Sequence, residues 1–92
     1  MPTKPLEEQE DIGGVVTEEP AKVILFNDEI HTFDEVILQL MKAIKCTQAK
    51  AEAFAWEVHN NGKAMVYTGE MIKCMEVSSV LEEIKLMTQI EV

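Results

Sequence analysis

The stretch KVILFNDEIHTF, residues 22–33, decides how this chain folds. Val23, Ile24, Leu25 and Phe26 form a continuous apolar run, the mark of a buried strand. The run breaks into Asn27-Asp28-Glu29, which aims two carboxylates and an amide off the end of the core. Thr32, followed three residues later by Glu35, is the signature of a capping box, so a helix begins there. Along it Phe33, Val36, Ile37, Leu40, Met41 and Ile44 recur at steps of three and one, which gives one apolar face.

Working outward, Thr47 is a good N-cap for a second helix. Ala51, Phe54, Ala55 and Val58 form its apolar face, and Gly62 after Asn60-Asn61 is a natural C-terminal stop. KAMVYT, residues 63–68, reads as a short strand. GEMIKCMEVSSVLEEI, residues 69–84, reads as a third helix whose stripe weakens near Ser78-Ser79. In KLMTQIEV, residues 85–92, Leu86, Thr88, Ile90 and Val92 alternate on one side, as in a half-exposed strand. The expected fold is α+β in the order β-α-α-β-α-β. It is a single compact domain, a three-stranded antiparallel sheet packed by helices.

Residues 1–20 differ from the rest. They hold all three prolines and six acids against one lysine, with no sustained period. That composition predicts a disordered acidic tail ahead of a core over residues 21–92. Such a tail either keeps the protein soluble or is gripped by a partner. Hydrophobic residues make up 47% of the chain, enough for one core in a domain this small. The six methionines suit an adaptable core, or a groove that accepts several side-chain shapes.

The charge balance narrows the partners. Eight lysines against seventeen acids give a net charge of −9, which disfavours nucleic acid and anionic membrane surfaces. Cationic groups are better partners. No apolar stretch is long enough to span a membrane. The opening MPTKPLEEQE lacks the order of a secretory signal, and Cys46 and Cys74 form neither a CxxC motif nor a disulfide framework. These features point to a cytoplasmic protein, with the cysteines as small apolar core residues.

The chemistry concentrates in two places. A carboxylate offers only acceptors, and an Asn carbonyl is another, so Asn27, Asp28 and Glu29 at a strand end form a negative rim. Its complement is an ammonium group, with three donors and a charge. Asn-Asp at such a junction also suits an ordinary Asx turn. His59 falls one residue past Val58 and four past Ala55, at the edge of the second helix's buried stripe. A neutral imidazole there can accept from an ammonium or from a bridging water. It also suits a helix C-terminus, which needs no ligand to explain it.

KVILFNDEIHTFDEVI followed by AFAWEVHNNGKAMVYTGE resembles the Clp protease adaptor family ClpS, the recognins of N-end rule substrates. The likeness runs from about Lys22 to Val92. It implies a fold like the C-terminal domain of the ribosomal stalk protein. It also implies an adaptor that binds the free α-amino group and bulky side chain of an N-terminal Leu, Phe, Tyr or Trp. That adaptor would deliver such N-degron peptides to the N-terminal domain of a Clp AAA+ unfoldase of ClpA or ClpC type. Carried over residue by residue, Asn27, Asp28 and His59 would hold the amine. Ile30, His31, Phe33, Ala55, Val58 and Leu86 would line the hydrophobic pocket, and Glu70 would dock the unfoldase. The family implies no catalytic residue, metal or cofactor. Three departures bear on specificity: Phe33 stands for a methionine, Ala55 for a larger methionine, and His31-Thr32 for a Thr-Pro pair.

Two other readings compete. A metalloenzyme built on His31 and His59 lacks an HExxH or Cys/His cluster, and no Ser-His or Cys-His motif supports a hydrolase. A structural or assembly domain with the same fold would have no use for Asn27, Asp28 and His59 together.

Overall fold

The structure is a computed structural model that describes residues 20–92. Apart from Pro20, the tail expected over residues 1–20 lies outside the described residues. The elements run β1 (Ala21–Phe26), α1 (Phe33–Ile44), α2 (Gln48–Asn61), β2 (Lys63–Gly69), α3 (Met71–Glu82) and β3 (Thr88–Glu91).

β1 is the central strand of an antiparallel sheet ordered β2-β1-β3. A central strand buries its side chains most fully, and Val23 and Leu25 are 0% exposed. β2 carries a bulge where its register with β1 shifts between Val23 and Ile24. α2 and α3 lie against the sheet, and α1 packs across both helices. The core joins Val23 and Leu25 to Leu40 of α1, Ala55 and Val58 of α2, and Leu81 of α3.

The helix starts follow the sequence closely. Thr32 Oγ1 accepts from the Glu35 N–H at 3.1 Å, and the Glu35 carboxylate accepts from the Thr32 N–H at 2.8 Å. That box contributes about 1 kcal/mol to the start of α1. Thr47 caps α2 in the same way through the Lys50 N–H. Gly62 ends α2 in the left-handed region at φ 86°, and its N–H donates to the Val58 carbonyl.

The last third departs from expectation. α3 is shorter than residues 69–84, because Gly69 completes β2 and Glu70 is the N-cap. Its stripe weakens because a hydroxyl takes a core position: Ser78 is buried and hydrogen-bonds Thr88 Oγ1 at 2.6 Å. The final strand begins at Thr88, so Leu86 is buried by the turn before β3 rather than by a pleat. Lys85 makes that turn at φ 69°. Val92 lies past the strand and is exposed. Of the described methionines Met41 packs against the core, while Met65, Met71, Met75 and Met87 are exposed rather than core fillers. Both cysteines are free, with Cys74 buried and Cys46 half-buried. Among the described residues no helix is long and apolar enough to cross a membrane.

Candidate functional site

Two backbone bonds clamp the end of β1. The Phe26 N–H donates to the Met87 carbonyl at 3.0 Å, and the Asn27 N–H donates to the Gly62 carbonyl at 2.9 Å. The first ties the strand to the chain just after Leu86, the second to the chain just after α2. His59, in the last turn of α2, is thereby brought beside Asn27 and Asp28.

Between these segments lies a cavity of about 400 Å³. Leu25, Val36, Ala55, Val58 and Leu86 give it apolar walls, while Asn27, Asp28, Glu29, His31 and His59 bring polar groups to it. Phe33 also lines it, from the first turn of α1. Asn27, Glu29 and His59 are solvent-exposed, so their polar atoms can meet a ligand without first leaving a buried partner.

The loop after β1 is organised by Asp28. Its Oδ1 accepts from the Ile30 N–H at 3.1 Å and the His31 N–H at 3.0 Å, and its Oδ2 lies 2.7 Å from His31 Nδ1. The Asx turn weighed from sequence is therefore present, alongside the cavity. Partial desolvation pushes the Asp28 carboxyl upward. The backbone and ring hydrogen bonds of His31 and the Ile30 N–H outweigh it and hold the group below its ordinary value. His31 Nε2 bonds the Ile84 carbonyl, from the connection between α3 and β3. The bonds to Asp28 and to Ile84 hold its imidazole above its ordinary value, against partial desolvation.

The same turn corrects one expectation. Curling the loop around Asp28 sends the Ile30 side chain outward, where it is 86% exposed and takes no part in the cavity. Asn27, Asp28, His31, Phe33, Ala55, Val58, His59 and Leu86 do come together there. Glu70 does not, because it lies past Gly69, which pairs with Ala21 at the opposite end of β1.

Sequence reasoning missed Trp56. Its ring packs on Phe33 at 4.6 Å between centroids and meets His59 edge-on at 6.0 Å. It lies off the apolar stripe of α2, and its one signal was an aromatic residue a helical turn before His59. Sequence separation also misled on the histidines, since His31 and His59 line one cavity. Both ring nitrogens of His31 are already engaged, however, and among the described residues no group of three His, Cys, Asp or Glu side chains could hold a metal ion.

Comparisons with known proteins bear on this geometry. The family model for "ATP-dependent Clp protease adaptor protein ClpS" matches residues 16–89. Human E3 ubiquitin-protein ligase UBR2 is 43% identical over 58 residues, covering 63% of this chain and 3% of the ligase. Human E3 ubiquitin-protein ligase UBR1 is 36% identical over 62 residues, 67% of this chain and again 3% of the ligase. The chain thus spans only about 3% of the length of these curated relatives. Agrobacterium tumefaciens ClpS2, solved bound to L-phenylalaninamide, superposes with a TM-score of 0.70 at 21% identity, over 82% of this chain and 98% of that one. That likeness shows the fold, a three-stranded antiparallel sheet packed by three helices. With the family model covering most of its length, the chain belongs to the ClpS family of ATP-dependent Clp protease adaptors.

Proposed function

We propose that this adaptor grips the N-terminal residue of proteins bound for degradation, holding its free α-amino group at the rim and its bulky apolar side chain in the cavity. The observation that carries the reading is one cavity with apolar walls and an acceptor-rich edge. L-phenylalaninamide, the molecule bound to the Agrobacterium relative, has the two matching halves: a free amine and an aromatic side chain.

The chemistry divides between the two parts. Asn27 Oδ1, the remaining acceptor capacity of Asp28 Oδ2 and a neutral His59 nitrogen can each accept from an ammonium. Each charge-assisted bond contributes about 1.5–3 kcal/mol. Burying a Leu or Phe side chain against Ala55, Val58 and Leu86 adds about 1.5–3 kcal/mol. A small side chain forfeits the second contribution and an acetylated amine the first. Recognition therefore requires both halves of the first residue.

Delivery uses the far end of the sheet. Glu70, the N-cap of α3, makes no side-chain capping bond, and Met71, Ile72 and Met75 on the same helix are exposed. Exposed apolar side chains beside a carboxylate that makes no capping bond suit a protein partner. We assign that partner as the N-terminal domain of a ClpA- or ClpC-type unfoldase. β1 begins at Ala21, paired with Gly69, so the chain preceding it starts at the same end as Glu70. The amine site lies a full strand away, which leaves a bound substrate clear of the docking face. Two free cysteines fit a reducing cytoplasm as the setting.

The test uses peptides beginning with Leu, Phe, Tyr, Trp, Met or Ala, each with a free and an acetylated amine. Trp56, the single tryptophan of the chain, reports binding of the peptides without tryptophan by fluorescence from beside Phe33 and His59. Free peptides with bulky first residues should bind and their acetylated forms should not. Equal binding of both forms would remove the amine site and the adaptor reading with it.

A further inference from the structure

Both ring nitrogens of His31 face oxygen atoms that accept hydrogen bonds. Nδ1 is 2.7 Å from Asp28 Oδ2, and Nε2 meets the Ile84 carbonyl. A neutral imidazole carries a single N–H, so it can serve one of these oxygens while its other nitrogen sets a lone pair against the second. Moving a proton onto Asp28 would relieve this. It is opposed by the backbone N–H groups of Ile30 and His31, which already donate to Oδ1 and favour the ionised carboxylate.

We propose that His31 is a positioning residue of the amine site, an imidazolium strap that joins the Asp28 carboxylate to the Ile84 carbonyl. This rests on the amine-binding reading above. The strap links two segments that contribute to the cavity from different parts of the chain. One is the loop bearing Asn27 and Asp28. The other is the connection in which Leu86 follows Ile84 by two residues. With an 11% exposed side chain, His31 makes this link partly shielded from water, where a charge-assisted bond holds geometry best.

The strap also changes what the rim offers a ligand. Asp28 and His31 neutralise each other, so Asp28 meets an ammonium as an aligned acceptor within an ion pair. Glu29 is then the carboxylate lining the cavity that has no positive partner of its own among the described residues.

The strap is sensitive to pH. The charged and titratable groups around it are Asp28 and Glu29 on its own loop, Glu35 in the first turn of α1, His59 across the cavity on α2, and Lys85 beside Ile84. Glu82 and Glu83 at the end of α3 are turned to Thr88 and Lys42. Folding favours protonated His31. The strap's contribution to stability is therefore complete below the ordinary histidine value of 6.5 and is lost as pH rises through the raised folded-state value.

Imidazole nitrogen NMR on the full chain with labelled histidine tests this directly. Followed across a pH titration, both His31 nitrogens should keep the protonated pattern above the ordinary histidine value of 6.5. Asp28→Asn should return the ring to a neutral pattern. His31→Gln should weaken a Leu-initiated peptide about tenfold, the loss of one charge-assisted bond. The wild-type Tm should decline between neutral and alkaline pH, and the Gln variant should lack that decline. A His31 that titrates at or below the ordinary value overturns the proposal whether or not the Gln variant folds, and so does a Gln variant that binds and melts like the wild type. An imidazolium in a protein that ignores acetylation of the peptide would instead overturn the amine site, leaving the strap with nothing to position.

Discussion

The N–H of Asn27 donates to the carbonyl of Gly62 at 2.9 Å, and that bond sets the first acceptor of the rim beside the helix end that carries His59. Gly62 can offer its carbonyl there because it turns the chain at φ 86°. An added Cβ would meet nothing within 4 Å, so Gly62→Ala carries a conformational cost alone. We expect a loss of about 1–2 kcal/mol. Thermal melting should show it as a fall of roughly 4–8 °C per kcal/mol, the usual response of a domain this small. Peptide affinity should fall as well, because the last turn of α2 loosens. A variant with unchanged Tm would show that the left-handed turn is not needed.

Asp28→Ala should be the most damaging change at the rim. It removes the acceptor proposed for the amine together with the group that organises Ile30 and His31. Titration calorimetry should show a loss of about 2–5 kcal/mol in peptide binding, as for one partner of a desolvated charge pair. His59→Ala should cost less, because His59 is exposed. Acetylating the peptide should matter far less in Asp28→Ala than in the wild type. Fully additive losses would mean that Asp28 and the amine do not meet.

Ala55→Met should shrink the cavity, since Ala55 is 3% exposed and lines it. A Trp-initiated peptide should lose more than a Leu-initiated one, by about 1–3 kcal/mol, the usual cost of overpacking. Competition binding with the two peptides measures the difference directly. Equal losses would place Ala55 outside the wall that meets the side chain.

Docking and peptide binding should separate by mutation. Glu70 lies at the Ala21 end of β1, away from Asn27. Glu70→Lys, and separately deletion of residues 1–19, should leave peptide affinity and Tm close to wild type while slowing degradation of a model N-degron substrate by the Clp protease. Degradation at wild-type rate by both variants would mean that the unfoldase is engaged elsewhere.

Much of the fold was legible because short-range chemistry imposes it. Thr32 with Glu35, Thr47 and Gly62 each set a helix boundary through bonds within one turn, and periodicity alone marked the faces of α1 and α2. The end of the chain was harder to read. There a buried Ser78 is satisfied by Thr88 from another element, and Leu86 is buried by a turn rather than by alternation. No local pattern encodes a hydroxyl whose partner arrives from a different strand.

For the site, the sequence by itself determined the ingredients: acceptors at a strand end, a histidine at a helix end, and a small Ala55 one turn before it. Tertiary structure decided how they combine. The Asx turn around Asp28 sends Ile30 outward, and packing brings Trp56 onto Phe33. Folding also carries Ile84 to a ring nitrogen of His31. The physical reason is range: a helix cap acts within one turn of chain, whereas the Ile84 carbonyl, which joins the nearby Asp28 in holding His31 above its ordinary value, comes within reach only in the closed fold.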